Sequence, residues 1–187
     1  MTWGGVDLGM AVTTQPDGKI LVAGLADRGD EDLVVARFHA TGMPDTSFGV
    51  RGVATWDGGA ADTGLDILVQ GDGRIVVSGA SHNGSNNDAV LLRFDGNGSL
   101  DNSFATGGVY FWERETGDLF HANTLQADGK ILAVGGTGSA GPLSWELLLM
   151  RFEGRSTMTE IIPTLGNFGL LLMVLLLAGF GRPGRRS

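Results

Sequence analysis

The chain has 187 residues, no cysteine and a formal net charge of −8. This length admits one domain with a sizeable core, the missing cysteine excludes disulfides and thiolate metal centres, and the acidity argues against nonspecific nucleic-acid binding, which needs clustered Lys and Arg. Glycine supplies 32 residues, about 17% against a usual share of about 7%; no Gly-X-Y period is present, so collagen is excluded, and the short Val, Ile and Leu runs between glycines predict an all-β chain.

The amino-terminal stretch MTWGGVDLGMAVTTQ has neither a basic n-region nor an apolar h-region and does not read as a signal peptide. A repeat follows. QPDGKILVAG from Gln15 returns as QGDGRIVVSG from Gln70 and as QADGKILAVG from Gln126. Each copy is followed by an Arg-Phe pair, at Arg37-Phe38, Arg93-Phe94 and Arg151-Phe152, and DTSFGVRGV from Asp45 returns as DNSFATGGV from Asp101. Landmarks recurring in one order at nearly one spacing mark a repeat architecture.

Each repeat reads as four strands. Asp-Gly at 17–18, 72–73 and 128–129 predicts a hairpin with a type I′ turn. Beyond it lie the apolar runs Ile20 to Ala23, Ile75 to Ser78 and Ile131 to Val134, which suit strands covered on both faces. After a polar loop come Leu33 to Phe38, Ala89 to Phe94 and Glu146 to Phe152, and Val53 to Trp56 and Val109 to Trp112 supply the fourth strand. A four-stranded unit of about 55 residues, covered on both faces, predicts a β-propeller blade, with a parallel β-solenoid as the alternative. The expected domain is 1–152, with repeats over about 7–44, 45–100 and 101–152 and the first lacking its opening strand. Propellers close with about four to eight blades, so an open arc of about three would leave two apolar sheet faces uncovered. The simplest expectation is a carboxy-terminal fragment of a longer protein; self-association into a ring is the alternative.

At these residues the chain resembles the delta-60 repeat family, bacterial proteins built of propeller-like repeats patterned Q-x-D-G-K-I-x-V-x-G, then A-R-[FY], then D-x-[ST]-F-G. The resemblance covers about Asp7 to Glu153 and implies a β-propeller. The third copy departs from it: EGRSTMTE follows Phe152 with no D-x-S-F segment, and 153–160 reads as a linker.

Candidate chemistry is sparse. Gly136-Thr-Gly138-Ser-Ala-Gly141 fits G-x-G-x-x-G, but a strand rather than a helix follows, so it reads as a surface loop. Asp95-Gly-Asn97-Gly-Ser99-Leu-Asp101 alternates oxygen-bearing side chains that could encircle Ca²⁺, although the first repeat keeps only fragments of the set and a turn is the better reading. His39, His82 and His121 fall at different repeat positions without metal-ligand spacing, and Ser139 lacks the context of a nucleophile elbow. Asp30, Glu31, Asp32 and Asp88 read as a solvated acidic rim. No catalytic residue, cofactor or metal site is expected, and the chain is not expected to be an enzyme.

Ile161 to Gly181 is 21 residues without a charge. As a helix it would span about 31 Å against a hydrocarbon core of about 30 Å. The sequence therefore predicts one carboxy-terminal transmembrane helix over about 165–181, with Arg182, Arg185 and Arg186 as a cytoplasmic stop and the repeats on the periplasmic or extracellular side of a lipid bilayer. The same tail, 161–187, resembles the IPTL-CTERM sorting signal through Ile162-Pro163-Thr164-Leu165 and Phe168-Gly169; Gly166 and Phe168 stand where the usual pattern has Ser and Trp. That resemblance implies recognition by an exosortase-like membrane enzyme in a Gram-negative envelope, removal of the helix and delivery to the cell surface. The expected role is binding a surface glycan or protein ligand, or serving as a structural scaffold. The competing expectation is the carboxy-terminal part of an envelope enzyme, such as a glycan-active propeller, whose catalytic residues lie outside this chain.

Overall fold

The structure, a computed structural model, describes residues 7–27, 29–114, 117–138, 145–153 and 158–161. Among these residues every regular element is a strand. The first sheet is an antiparallel meander of β1 (Asp7–Thr14), β2 (Ile20–Asp27), β3 (Glu31–Phe38) and β4 (Val53–Trp56). The second repeats it with β5 (Asp62–Val69), β6 (Ile75–His82), β7 (Asn87–Phe94) and β8 (Val109–Trp112). The third comprises β9 (Gly117–Leu125), β10 (Ile131–Gly138), β11 (Glu146–Phe152) and β12 (Met158–Ile161). β5 touches β1, β2 and β3 of the sheet before it, and β9 touches β5, β6 and β7. Successive sheets thus stack face to face with their first strands adjacent, the arrangement of propeller blades.

The apolar runs pack as the period-2 rule requires. Leu21, Ala23, Leu33, Val35 and Phe48 of the first blade meet Ile67, Ile75, Val77, Val90 and Leu92 of the second in one buried cluster. The opposite face of the second blade contributes Val76, Ala89, Leu91 and Phe104 to a cluster with Ile131, Ala133, Leu148, Met150 and Phe152 of the third. Both faces of the second blade are therefore covered. On the first blade Val12 is 68% exposed, while its repeat counterpart Ile67 is 5% exposed; on the third, Leu147 is 55% exposed where the counterpart Ala89 is fully buried. Ala26, Val34, Ala36 and Val53, on the face of the first blade turned away from the second, nevertheless form a small buried cluster of their own.

The glycine that ends each Ile-x-Val-x-Gly run has a steric role. Each first strand carries a one-residue bulge, at Met10, Leu65 and His121, and opposite it Gly24, Gly79 and Gly135 approach the neighbouring backbone. A Cβ on Gly24 would sit 1.8 Å from the Leu8 carbonyl oxygen, and one on Gly79 would sit 1.9 Å from that of Thr63. Only glycine fits. His121 is thereby explained as an exposed bulge residue.

Several expectations need correction. The Asp-Gly hairpins are not type I′, since only the glycine has positive φ, at 82° for Gly18, 84° for Gly73 and 83° for Gly129. Gly18 N–H donates to the Gln15 carbonyl and Gln15 N–H to the Lys19 carbonyl, while the Asp17 carboxylate accepts from Lys19 N–H, giving a three-residue loop closed by a left-handed glycine. The first blade does not lack its opening strand, because β1 supplies it. The combined fold of propeller blades plus a carboxy-terminal transmembrane helix is corrected to sheets alone: no described helix exists that could cross a membrane. Ile161, where the apolar tail was taken to begin, is instead the last residue of β12 and pairs with Met150, its backbone engaged on the sheet edge. β12 occupies part of the segment read as a linker. The proposed span, 165–181, lies outside the described residues.

Candidate functional site

The meander topology gives each blade two ends with different chemistry. The β1–β2 and β3–β4 connections lie at one end, and the β2–β3 hairpin with the link to the next blade lies at the other.

At the first end the motif residues form a clamp. Arg37, the penultimate residue of β3, donates from Nε to Asp45 Oδ2 at 2.9 Å and from its terminal nitrogens to Ser47 Oγ at 3.3 Å and the Gly96 carbonyl at 2.7 Å. Asp45 also accepts from the Ser47 hydroxyl and amide, at 2.6 and 3.1 Å, and pairs with Lys19 at 3.4 Å. The Arg37 guanidinium lies 4.5 Å from the centre of the buried Phe48 ring. The second repeat rebuilds the arrangement with Arg93, Asp101, Ser103, Phe104 and Arg74. Gly96 belongs to the second blade, so the first clamp also ties neighbouring blades together, and Gly49 N–H adds a bond to the Asn97 carbonyl. The hydroxyl and amide of Ser47, with Arg37 and Lys19, hold the Asp45 carboxyl far below the usual carboxylate range, although burial opposes this. Burial likewise opposes the shift at Asp101, where Ser103, Arg93 and Arg74 prevail and hold it at about 2.

These contacts convert the Arg-Phe and Asp-x-Ser-Phe motifs from a sequence signature into a structural one. The third blade retains Arg151-Phe152, and Phe152 is buried against Phe104, Tyr110 and Phe120. With no Asp-x-Ser-Phe segment to follow, Lys130 pairs with Glu153 at 3.4 Å. The Asp95–Asp101 loop is a turn: Asp95 Oδ1 accepts from the amides of Asn97 and Ser99, and Asp101 is held by Arg93.

The second end holds the principal departure from the sequence expectation. Asp30 and Glu31 are exposed, but Asp32 and Asp88 are buried and do not belong to a solvated rim. Asp32 is the second residue of β3 and sits at the blade junction, where Asp62, the first residue of β5, and Asp57 from the connecting loop bring carboxylate oxygens within 4.8 Å of one another. Asp62 has no exposed surface; its Oδ2 accepts from Gly58 N–H at 2.5 Å, and Oδ1 has no hydrogen-bond partner. Burial pushes its pKa up, and the charges of Asp57 and Asp32 push the same way, against the nearby Ser81 hydroxyl and the Gly58 amide. The next junction has Asp88 and Asp118 in the corresponding places, with Asp118 also fully buried and raised by burial. There Asn83 donates to both Asp88 oxygens at 3.1 Å, Arg114 N–H donates to Asp118 at 3.0 Å, and the Arg114 charge favours the ionised form. The recurrence of Asp at 32 and 88 and again at 62 and 118 was a readable signal, but it became meaningful only with the burial.

The residues assigned to sorting (Ile162, Pro163, Thr164, Leu165, Phe168 and Gly169) and the basic stop at Arg182, Arg185 and Arg186 lie outside the described residues, as does the Ser139 to Gly141 part of the glycine loop. Comparison with known families addresses the blades and the tail. Residues 15–48 and 70–104 match a family described as a domain of unknown function (DUF5122) beta-propeller. The chain carries DUF5122 β-propeller repeats. The first matched segment runs from Gln15 at the β1–β2 hairpin to Phe48 of the clamp, and the second from Gln70 to Phe104. Residues 162–187 match the IPTL-CTERM motif, so the repeats are joined to a carboxy-terminal sorting motif. That combination points to a surface-exported protein, extracellular or membrane-associated. No curated protein matches the chain.

Proposed function

We propose that this chain is a non-catalytic, surface-exported repeat domain that acts as a binding module or structural scaffold and is processed by an exosortase-like enzyme of a Gram-negative envelope. The observation that carries this reading is the IPTL-CTERM match at 162–187, downstream of propeller blades. The site chemistry supports it: the conserved-spacing motif residues in the first two repeats are committed to one another in clamps, with Arg37 and Arg93 nine-tenths or more buried. A propeller end built from variable loops on such a scaffold is suited to holding a surface glycan or another protein.

The test follows the full chain, tagged ahead of the repeats, in a Gram-negative host that carries the sorting enzyme. The repeats should become sensitive to protease added outside the cells, and a shorter mature form should accumulate. Pro163→Ala combined with Thr164→Ala should abolish the shorter form. Repeats that stay protected inside the cell, or maturation unchanged in the double variant, would overturn the reading; hydrolysis of envelope glycans by the isolated chain would overturn its non-catalytic part.

A further inference from the structure

We infer that the groove between the β3–β4 connection of the first blade and the β7–β8 connection of the second binds a carboxylate-bearing glycan, with Arg51 receiving the carboxylate. The groove has a volume of about 900 Å³, with Ser47, Val50, Arg51 and Thr55 on one wall and Asn97 and Ser99 on the other. Small-molecule clefts occupy about 300–1,000 Å³. The bond from Gly49 N–H to the Asn97 carbonyl, at 2.8 Å, ties the two walls together. Although the chain carries a net charge of −8, Arg51 is the one charged side chain among the described residues that line this groove. A single guanidinium offers two parallel hydrogen bonds and one charge, which suits one carboxylate. Around it the Thr55 and Ser99 hydroxyls and the Asn97 amide supply neutral donors and acceptors of the kind that sugar hydroxyls need. The side chains of Arg51, Thr55, Asn97 and Ser99 make no hydrogen bond or ion pair with any other described residue, unlike the clamp residues beside them.

An independent observation marks the same residue. Val50 and Val53 exchange backbone hydrogen bonds at 2.7 and 3.2 Å around Arg51 and Gly52, whose φ angles are 56° and 96°. This is a two-residue type I′ turn, in which glycine or asparagine ordinarily takes the first left-handed position. The second repeat builds the same turn from Gly107 and Gly108, at 64° and 94°. The first repeat instead keeps an exposed arginine in a backbone conformation that its Cβ disfavours, and strain of this kind collects at ligand sites. Ala105 is also left-handed, at 44°, but it packs against the apolar cluster between the second and third blades, whereas Arg51 belongs to no such cluster. Phe111 replaces Thr55 in the second repeat, so that junction has neither the cation nor the hydroxyl. This inference rests on the binding-module reading of the blades and assigns a ligand class to one groove of it.

The probe is the uronic-acid trisaccharide trigalacturonate, titrated calorimetrically into the purified full chain in detergent. Binding should saturate at one site. The methyl ester of the same trisaccharide, which keeps the hydroxyls and loses the charge, should bind at least about tenfold more weakly. Arg51→Asn should weaken trigalacturonate binding by a similar factor without lowering Tm, because asparagine takes the left-handed conformation readily. Thr55→Val should weaken it severalfold. No saturable binding, equal binding of the ester, or undiminished binding in Arg51→Asn would overturn the inference. Triglutamate binding as tightly as trigalacturonate would overturn the glycan class. Failure of trigalacturonate to bind a chain whose repeats still reach the surface would remove this site and leave the export reading standing; binding by a chain whose repeats stay inside the cell would do the reverse.

Discussion

The two ends of the blades use the same side chain with opposite consequences. Asp45 and Asp101 are nearly buried, but each receives a guanidinium, a hydroxyl and an amide, and their pKa values fall. Asp62 and Asp118 are fully buried, and burial raises their pKa values although the hydroxyls of Ser81 and Thr137 and one backbone amide each oppose it. Burial alone therefore does not decide whether a carboxylate helps or harms a fold; the donors assembled around it do. The clamp end stabilises the charged form that exists at neutral pH. The other end holds its acids against their own desolvation.

The largest effect should come from breaking the clamp. Arg93→Met leaves Arg74 as the one guanidinium on the Asp101 carboxylate and removes the buried contact with the Phe104 ring, so chemical denaturation should show a loss of about 3–5 kcal/mol. A loss below about 1 kcal/mol would mean that Arg74 and Ser103 suffice alone.

At the opposite end the sign reverses. Asp62→Asn, measured at pH 7, should stabilise the chain by about 1–3 kcal/mol, because it removes a buried charge and places an amide donor among the Asp32 and Asp57 carboxylates. The pH dependence separates the ends further. Asp101, depressed to about 2, contributes stability that is present above the unfolded carboxylate value of about 3.9 and is lost as pH falls through about 2. Asp62, raised, contributes fully below about 3.9 and loses that contribution as pH rises through its folded value. Asp62→Asn should therefore gain most over the native chain at neutral pH and converge with it in acid. Equal gains at pH 3 and pH 7 would remove desolvation of the ionised group as the cause.

The smallest effect belongs to the third blade. Lys130 and Glu153 are both partly exposed, so Lys130→Met should cost less than about 1 kcal/mol in the same denaturation measurement. A loss matching that of Arg93→Met would show that this pair has taken over the duty of the missing Asp-x-Ser-Phe segment.

Much of the fold was legible in the residues. Val, Ile and Leu runs at constant spacing located β2, β6 and β10, and the repeated Arg-Phe pairs located the ends of β3, β7 and β11. Less legible was β1, whose glycine and bulge interrupt the alternation that marks a strand; the same bulge hid the purpose of Gly24, Gly79 and Gly135. β12 carried no repeat signature, since a strand that only completes an edge needs backbone groups rather than a particular side-chain pattern. Of the acids expected to form a rim, Asp30 and Glu31 do face water, whereas Asp32 and Asp88 were misread because a charged residue beside a glycine-rich loop ordinarily does so.

By itself the sequence determined the repeat, its four-strand rhythm and the sorting motif at its end, because periodic apolar runs and short signatures are local properties of the chain. Only the tertiary structure decided which acids are clamped and which are stranded. That distinction depends on groups from neighbouring blades: Gly96 reaching Arg37 across one junction, and Asp62 meeting Asp32 across the same junction at its other end. Burial and donor count arise only when blades stack, and no single repeat contains both sides of the contact.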